Sequence, residues 1–241
     1  MDILLALTWI TALGLAAGAL TTVSGMGGGL VVVFVLSFVI GPKAALVVSA
    51  SALLVGNAHR MWLYRASVDT AVARRLLLGL VPGTLLGAWL AAGMSDNVIR
   101  IVMVAAALVS LGRALTGARW TLPASSLTPA AGVVGFFAAT AGGAAALLGP
   151  VMLSSGLAGR RYLAVTAVGA TAMHTVRITG YGLAGMWRMS YLPIIAGLAA
   201  AILVGNLLGR NLREVVPEKA GNALEVLTPV VCAALAIAGI G

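Results

Sequence analysis

The stretch "SGMGGGLVVVFVLSFVIGPK", Ser24 to Lys43, sets four glycines in five positions ahead of eleven almost wholly apolar residues and then Gly-Pro-Lys. Eleven residues rise only about 16 Å as a helix, roughly half of a bilayer's hydrocarbon core. Unwound backbone at that depth survives only where protein or a wet cavity satisfies its amides and carbonyls. Gly25 and Gly27 to Gly29 permit left-handed or cramped conformations without a Cβ clash. A helix starting near Leu30 then presents free N–H groups and a positive dipole end inside the membrane, which is where an anion binds.

The rest of the chain supplies the membrane. Of 241 residues 61% are hydrophobic and 9% charged, with mean hydropathy +1.09, against about a quarter charged in soluble domains. Apolar runs separated by short charged loops leave no room for a soluble domain of ordinary size. The run from 3 to 23 has no Lys or Arg ahead of it and continues into the membrane pattern, so it reads as a retained helix and not a signal peptide. Cys232 alone offers neither a disulfide nor a metal cluster. Two distant histidines and the absence of an HExxH motif give an intramembrane enzyme little to work with, so no catalysis, cofactor or metal is expected. The net charge of +9 is dispersed at segment ends and so does not point to nucleic acid.

Windows of about 20 apolar residues predict spans at 3 to 23, 44 to 63, 76 to 92, 98 to 111, 162 to 178, 191 to 209 and 222 to 240, with short apolar pieces at 30 to 40, 130 to 141 and 145 to 157. Cytoplasmic loops collect Lys and Arg. Placing the basic loops inside and "GMSDN" (93 to 97) outside puts eleven basic residues in and four (Lys43, Arg100, Arg177, Arg188) out. The triplets 44 to 111 and 162 to 240 then run in opposite senses. "GTLLG" (83 to 87) and "GNLLG" (205 to 209) occupy corresponding places on the middle helix of each triplet. Such small-xxx-small spacing brings helices close in lipid. A second break, "TAGGAAALLGP" (140 to 150) with Gly142 and Gly143, matches the first.

The expected fold is an all-α polytopic membrane protein of two inverted-topology repeats, residues 1–115 and 130–241, joined by a cytoplasmic linker at 116–129. Each repeat is a glycine-broken or re-entrant helix pair followed by three transmembrane helices. Inverted halves are a recurring carrier plan, with the site near the midplane. The competing reading of the glycines is close helix crossing alone. Among the polar residues, Ser24, Asn57, Thr140 and Arg177 join Gly25, Gly27, Gly28, Gly29, Gly142 and Gly143 as the expected anion site. Ser49, Ser51, Thr166 and Thr171 could add neutral donors. His59, Arg60 and His174 are candidates for coupling or gating, since ionisable groups within spans are costly. Arg60 and Arg177 could equally cap helix ends and snorkel.

The run "SGMGGGLVVVFVLSF", "GPKAALVVSASALLVGNAHRMWLYR", the "VD" loop at Val68 and Asp69, and "RRLLLGLVPGTLLGAWLA" together resemble the sulfite exporter TauE/SafE family of membrane permeases, over roughly residues 14 to 115. The second half departs, with "AGGAAALLGP", "TAMHTVR" and "MWR" where a fuller glycine hinge, an Asn-bearing helix and a Val-Asp-like loop would repeat the first half. The resemblance implies export, or at least transmembrane movement, of sulfite, sulfonates or related small sulfur-containing anions across a bacterial inner membrane. The partners expected are that anion and the bilayer, with a homodimer open to the chain. A carrier by alternating access leads; an anion channel or uncoupled facilitator is the alternative.

Overall fold

A computed structural model of the chain describes residues 3–24, 27–116, 123–142 and 145–213, with the isolated positions Leu227 and Val230. The expected span 222 to 240, Gly25, Gly143 and much of the 116–129 linker lie outside the described residues. Those described form nine α-helices and no strand: α1 (Ile3–Ser24), α2 (Gly28–Ile40), α3 (Pro42–Tyr64), α4 (Thr70–Gly93), α5 (Asp96–Thr116), α6 (Leu127–Ala141), α7 (Ala145–Ser154), α8 (Gly159–Leu183) and α9 (Leu192–Arg213).

Three stretches are long and apolar enough to cross a bilayer by length and composition, Pro42–Ser67, Thr70–Gly93 and Met189–Leu212. At 13, 15 and 10 residues, α2, α6 and α7 span about 20, 22 and 15 Å and fall short of the roughly 30 Å core. They coincide with the three short apolar pieces. The long helices outrun their predicted ends, most notably α8, which continues to Leu183 instead of stopping at 178. The sequence reading put His174 and Arg177 in the closing turn of a span ending at 178; inside the fold Arg177 has partners, and the helix continues past it.

Local chemistry sets the ends. Pro42 takes the first turn of α3, where its missing N–H costs nothing, after Gly41 at φ 84. The Asp69 carboxylate accepts the Val72 N–H at 3.1 Å and caps α4. At the far end of α4, Lys43 Nζ donates to the Ala92 carbonyl at 3.2 Å, a cation on a helix C-terminus. That bond places the start of α3 and the end of α4 at one face of the protein.

At the centre α3 packs on α8, flanked by α9 on α3 and α4 on α8, while α1 lies along α9 and α6 along α4. Glycines set the last two contacts. A Cβ on Gly18 would overlap the Ile202 carbonyl, one on Gly205 the Leu15 carbonyl, and one on Gly209 would lie 2.7 Å from the Ala19 oxygen. A Cβ on Gly79 would overlap the Thr128 carbonyl, one on Gly83 that of Gly132, and one on Gly87 that of Phe136. In both pairs residue numbers rise together, so the helices run parallel. Backbone-to-backbone approach of this kind is the main attraction available where lipid is as apolar as the side chains. Thr22 adds a 3.0 Å bond to Asn206, whose amide donates to the Gly56 carbonyl at 3.2 Å, joining α1, α9 and α3. Outside this frame Trp9, Leu78, Leu86, Trp89 and Ile101 are all more than half exposed, an apolar rim suited to acyl chains.

Gly79→Ala is therefore expected to lower stability by about 1–3 kcal/mol through overpacking, whereas Gly112→Ala, whose Cβ would meet nothing within 4 Å, should be neutral or stabilising by about 0.5–1 kcal/mol. Thermal unfolding of the two variants in one detergent checks the contrast, and equal effects would refute the parallel glycine contact.

Candidate functional site

The first hydrogen bond of α2 runs from the Val31 N–H to the Gly27 carbonyl at 3.2 Å. The N–H groups of Gly28, Gly29 and Leu30 therefore have no partner within the helix, and among the described residues no side chain caps them. Gly27, at φ 96, turns the chain into α2 through a conformation that glycine accepts readily. Beside this end is a cavity of about 30 Å³. Gly27 and Gly29 form one wall, Thr21 of α1 another, and Leu53, Asn57 and Arg60 of α3 a third. Leu148 of α7 and Thr166, Ala170 and His174 of α8 close it. Volume of that order holds about two waters.

Two donors on the wall have capacity to spare. The Thr166 side chain is 4% exposed, and its hydroxyl has no hydrogen-bond partner. Buried hydroxyls are rarely left so, since each costs free energy. Asn57 donates one of its two N–H bonds to the Leu53 carbonyl at 2.9 Å, and its oxygen accepts from Arg60 Nη1 at 3.3 Å. Helices α1, α2, α3, α7 and α8 carry no Asp or Glu. A helix N-terminus, a buried hydroxyl, an amide and a guanidinium with no carboxylate among them make a pocket for negative charge.

Behind His174 lies a second cation. Arg177 is fully buried: Nε donates to the Tyr181 hydroxyl at 3.2 Å, Nη2 to the Leu46 carbonyl at 3.4 Å, and Nη1 stands 3.4 Å from His174 Nδ1. The guanidinium also lies over the Tyr181 ring at 5.6 Å. The Tyr181 hydroxyl donates in turn to the Ala139 carbonyl, one of the last four of α6, which have no partner within their helix. Arg177 and Tyr181 thus neutralise the negative end of a helix that stops inside the protein.

The structure brings Gly27, Gly29, Asn57, Arg60 and His174 of the expected residues around one cavity. Gly28 packs against α1, where a Cβ would overlap the Ala17 carbonyl and the Thr21 hydroxyl. Ser24 is the last residue of α1. His59 is off the cavity wall, with its buried Nδ1 lacking a partner. Gly142 is not beside the cavity: at φ 71 it caps the C-terminus of α6, and a Cβ there would strike Val33 and Leu46. Thr140 spends its hydroxyl on the Phe136 carbonyl of its own helix at 3.1 Å. Ser49, Ser51 and Thr171 likewise bond to their own helices. Thr166 is the hydroxyl that sequence could not single out, because only the fold shows which one goes unbonded.

Comparison with known proteins gives one match. The family model described as sulfite exporter TauE/SafE matches residues 10–240. No curated protein and no solved structure matches the chain.

Arg177→Gln and Tyr181→Phe should both destabilise the protein, because each strips donors from buried carbonyls. Tyr181→Phe is expected to cost about 1–3 kcal/mol and Arg177→Gln more, read as lowered thermal stability in detergent. An unchanged melting temperature for both would show that the end of α6 needs neither.

Proposed function

Because the chain belongs to the sulfite exporter TauE/SafE family, whose members are membrane transporters, we propose that it is a secondary carrier that exports a small sulfur-containing anion, sulfite or an organosulfonate, from a bacterial cell. The observation that carries this reading is the cavity at the N-terminus of α2, with the unbonded Thr166 hydroxyl on its wall. The free N–H groups of α2, the Thr166 hydroxyl, the spare Asn57 N–H and the Arg60 guanidinium take the oxygens of the guest. Arg60 offers the planar fork that suits an oxyanion.

The proposed architecture is two inverted halves, 1–115 and the second from about residue 127, moving against each other in alternating access. Support comes from the exchange of partners: the first helix of one half, α1, runs parallel along α9 of the other, and α6 runs parallel along α4. The central helices echo each other too. On α3 Arg60 donates to Asn57 three residues earlier, and on α8 Arg177 stands in the same relation to His174. Helices α3 and α8 meet at the centre, so a rocking of the halves there opens the cavity to one side and then the other.

Flux of sulfite, sulfate, thiosulfate and methanesulfonate in liposomes tests the reading, with sulfite or the sulfonate expected to move fastest. Thr166→Val should weaken anion binding about 10–100-fold, the worth of one hydrogen bond to a charged group, while leaving thermal stability unchanged because the hydroxyl has no protein partner to lose. Gly29→Ala, which places a methyl on the cavity wall, should slow flux with the protein still folded. Gly28 is unsuited to this purpose, since any side chain there disrupts packing. Unaltered affinity in Thr166→Val would remove the cavity from the anion's path.

A further inference from the structure

His174 stands between the cavity, which it lines, and Arg177, whose Nη1 lies 3.4 Å from its Nδ1. A guanidinium has donors only and keeps its charge at any physiological pH. Read as a hydrogen bond, the contact has Arg177 donating to an Nδ1 that carries no proton, in a neutral ring with its proton on Nε2. An imidazolium has a donor at both nitrogens. Forming one here would set two cations against each other in a buried site.

The surrounding elements offer no relief. Helix α8 packs on α3, α4, α6 and α7, and those four and α8 itself contain no Asp or Glu. Their charged or titratable groups are Lys43, His59, Arg60 and Tyr64 of α3, Arg74 and Arg75 of α4, and Arg160, Arg161, Tyr162, Arg177 and Tyr181 of α8, while α6 and α7 have none. The short turn after α3 adds Arg65, and the Asp69 that follows it caps α4 through Val72. Among the described residues no carboxylate lies on the helices packed against His174, and the negative charge that allows it to bind a proton is assigned to whatever enters the cavity.

We infer that His174 takes up one proton when the anion binds and gives it up when the anion leaves, making the protein a proton-coupled carrier in which Arg177 holds the ring unprotonated until a negative guest arrives. Proton and anion enter from the same side and leave on the other, so charge and protons balance over a cycle: one proton crosses with each anion. Protonation at Nδ1 breaks the bond to Arg177, which keeps its contacts with Tyr181 and the Leu46 carbonyl. The inference rests on the anion reading of the cavity and goes beyond it by assigning the ion that travels with the anion.

The test uses purified protein in liposomes with membrane potential clamped at zero. Labelled methanesulfonate is the main probe because it does not titrate near neutral pH, and sulfite is run beside it, corrected by protein-free vesicles. With equal anion on both sides, a pH gradient should drive accumulation of about tenfold per unit of pH at one proton per anion. His174→Gln should lose pH-driven accumulation. Titration calorimetry of the wild-type protein in two buffers of different ionisation enthalpy is a measure independent of any variant, and should show close to one proton bound per methanesulfonate or sulfite. Exchange without pH-driven accumulation in the wild type, pH-driven accumulation surviving in His174→Gln, or no proton uptake on binding would each overturn the inference and leave the anion site standing. Absence of exchange for both anions in the wild type would remove the anion site, and the inference with it.

Discussion

A helix that ends within a protein surrounded by lipid leaves its last backbone groups without bonds, and those groups have a sign. Amides point out of one end and carbonyls out of the other. This chain has both kinds of end close to its centre and treats them differently. The carbonyl end of α6 is closed by the protein itself, through Tyr181 on Ala139 and Arg177 behind it. Among the described residues the amide end of α2 is not closed by any side chain, and it borders a cavity. One broken helix is completed by a fixed cation, and the other is the end that the proposed anion would complete.

That arrangement needs rigid surroundings, because N–H groups without partners would otherwise fold back on neighbouring chain. The rigidity comes from glycine contacts on either side of the central pair. Along α1 and α9, and along α4 and α6, backbone meets backbone at distances no larger residue allows. Such contacts are short-ranged and lose most of their attraction when a gap opens. They hold each parallel pair as a unit, and in the proposed carrier the α3 and α8 interface, with larger side chains such as Leu46 and Tyr181, is where the units would shift.

Much of this was legible in the sequence. The three short helices are where apolar length fell short of a bilayer, and the opposed glycine pairs lie on "GTLLG" and "GNLLG", the echo expected for packing. Family likeness was visible only to about residue 115, whereas the family model reaches residue 240; the second half replaced the Asn and glycine signals with "HTVR" and "AGGAAALLGP", and composition alone could not see through the exchange. Less legible was which polar side chain is committed to what. Thr140, Thr166 and Thr171 look alike in sequence, yet two bond to their own helices and one does not. Gly142 was expected beside the anion and instead closes the carbonyl end of α6, because a glycine between two short helices serves whichever end the chain presents.

The electrostatic pattern narrows the chemistry further than the glycines do. Buried cations in membrane proteins usually stand opposite carboxylates, since an unpaired charge in low dielectric is costly. Here Arg177 is fully buried, and among the described residues the helices packed around it hold no Asp or Glu. Arg177 is offset by a helix end and a tyrosine, neither of which bears a full charge. A carboxylate beside it would stabilise the protein at rest and would also fill the electrostatic place of a negative guest. Leaving that place to neutral groups costs resting stability, and in the proposed carrier it makes the incoming anion the complement that the described central helices lack.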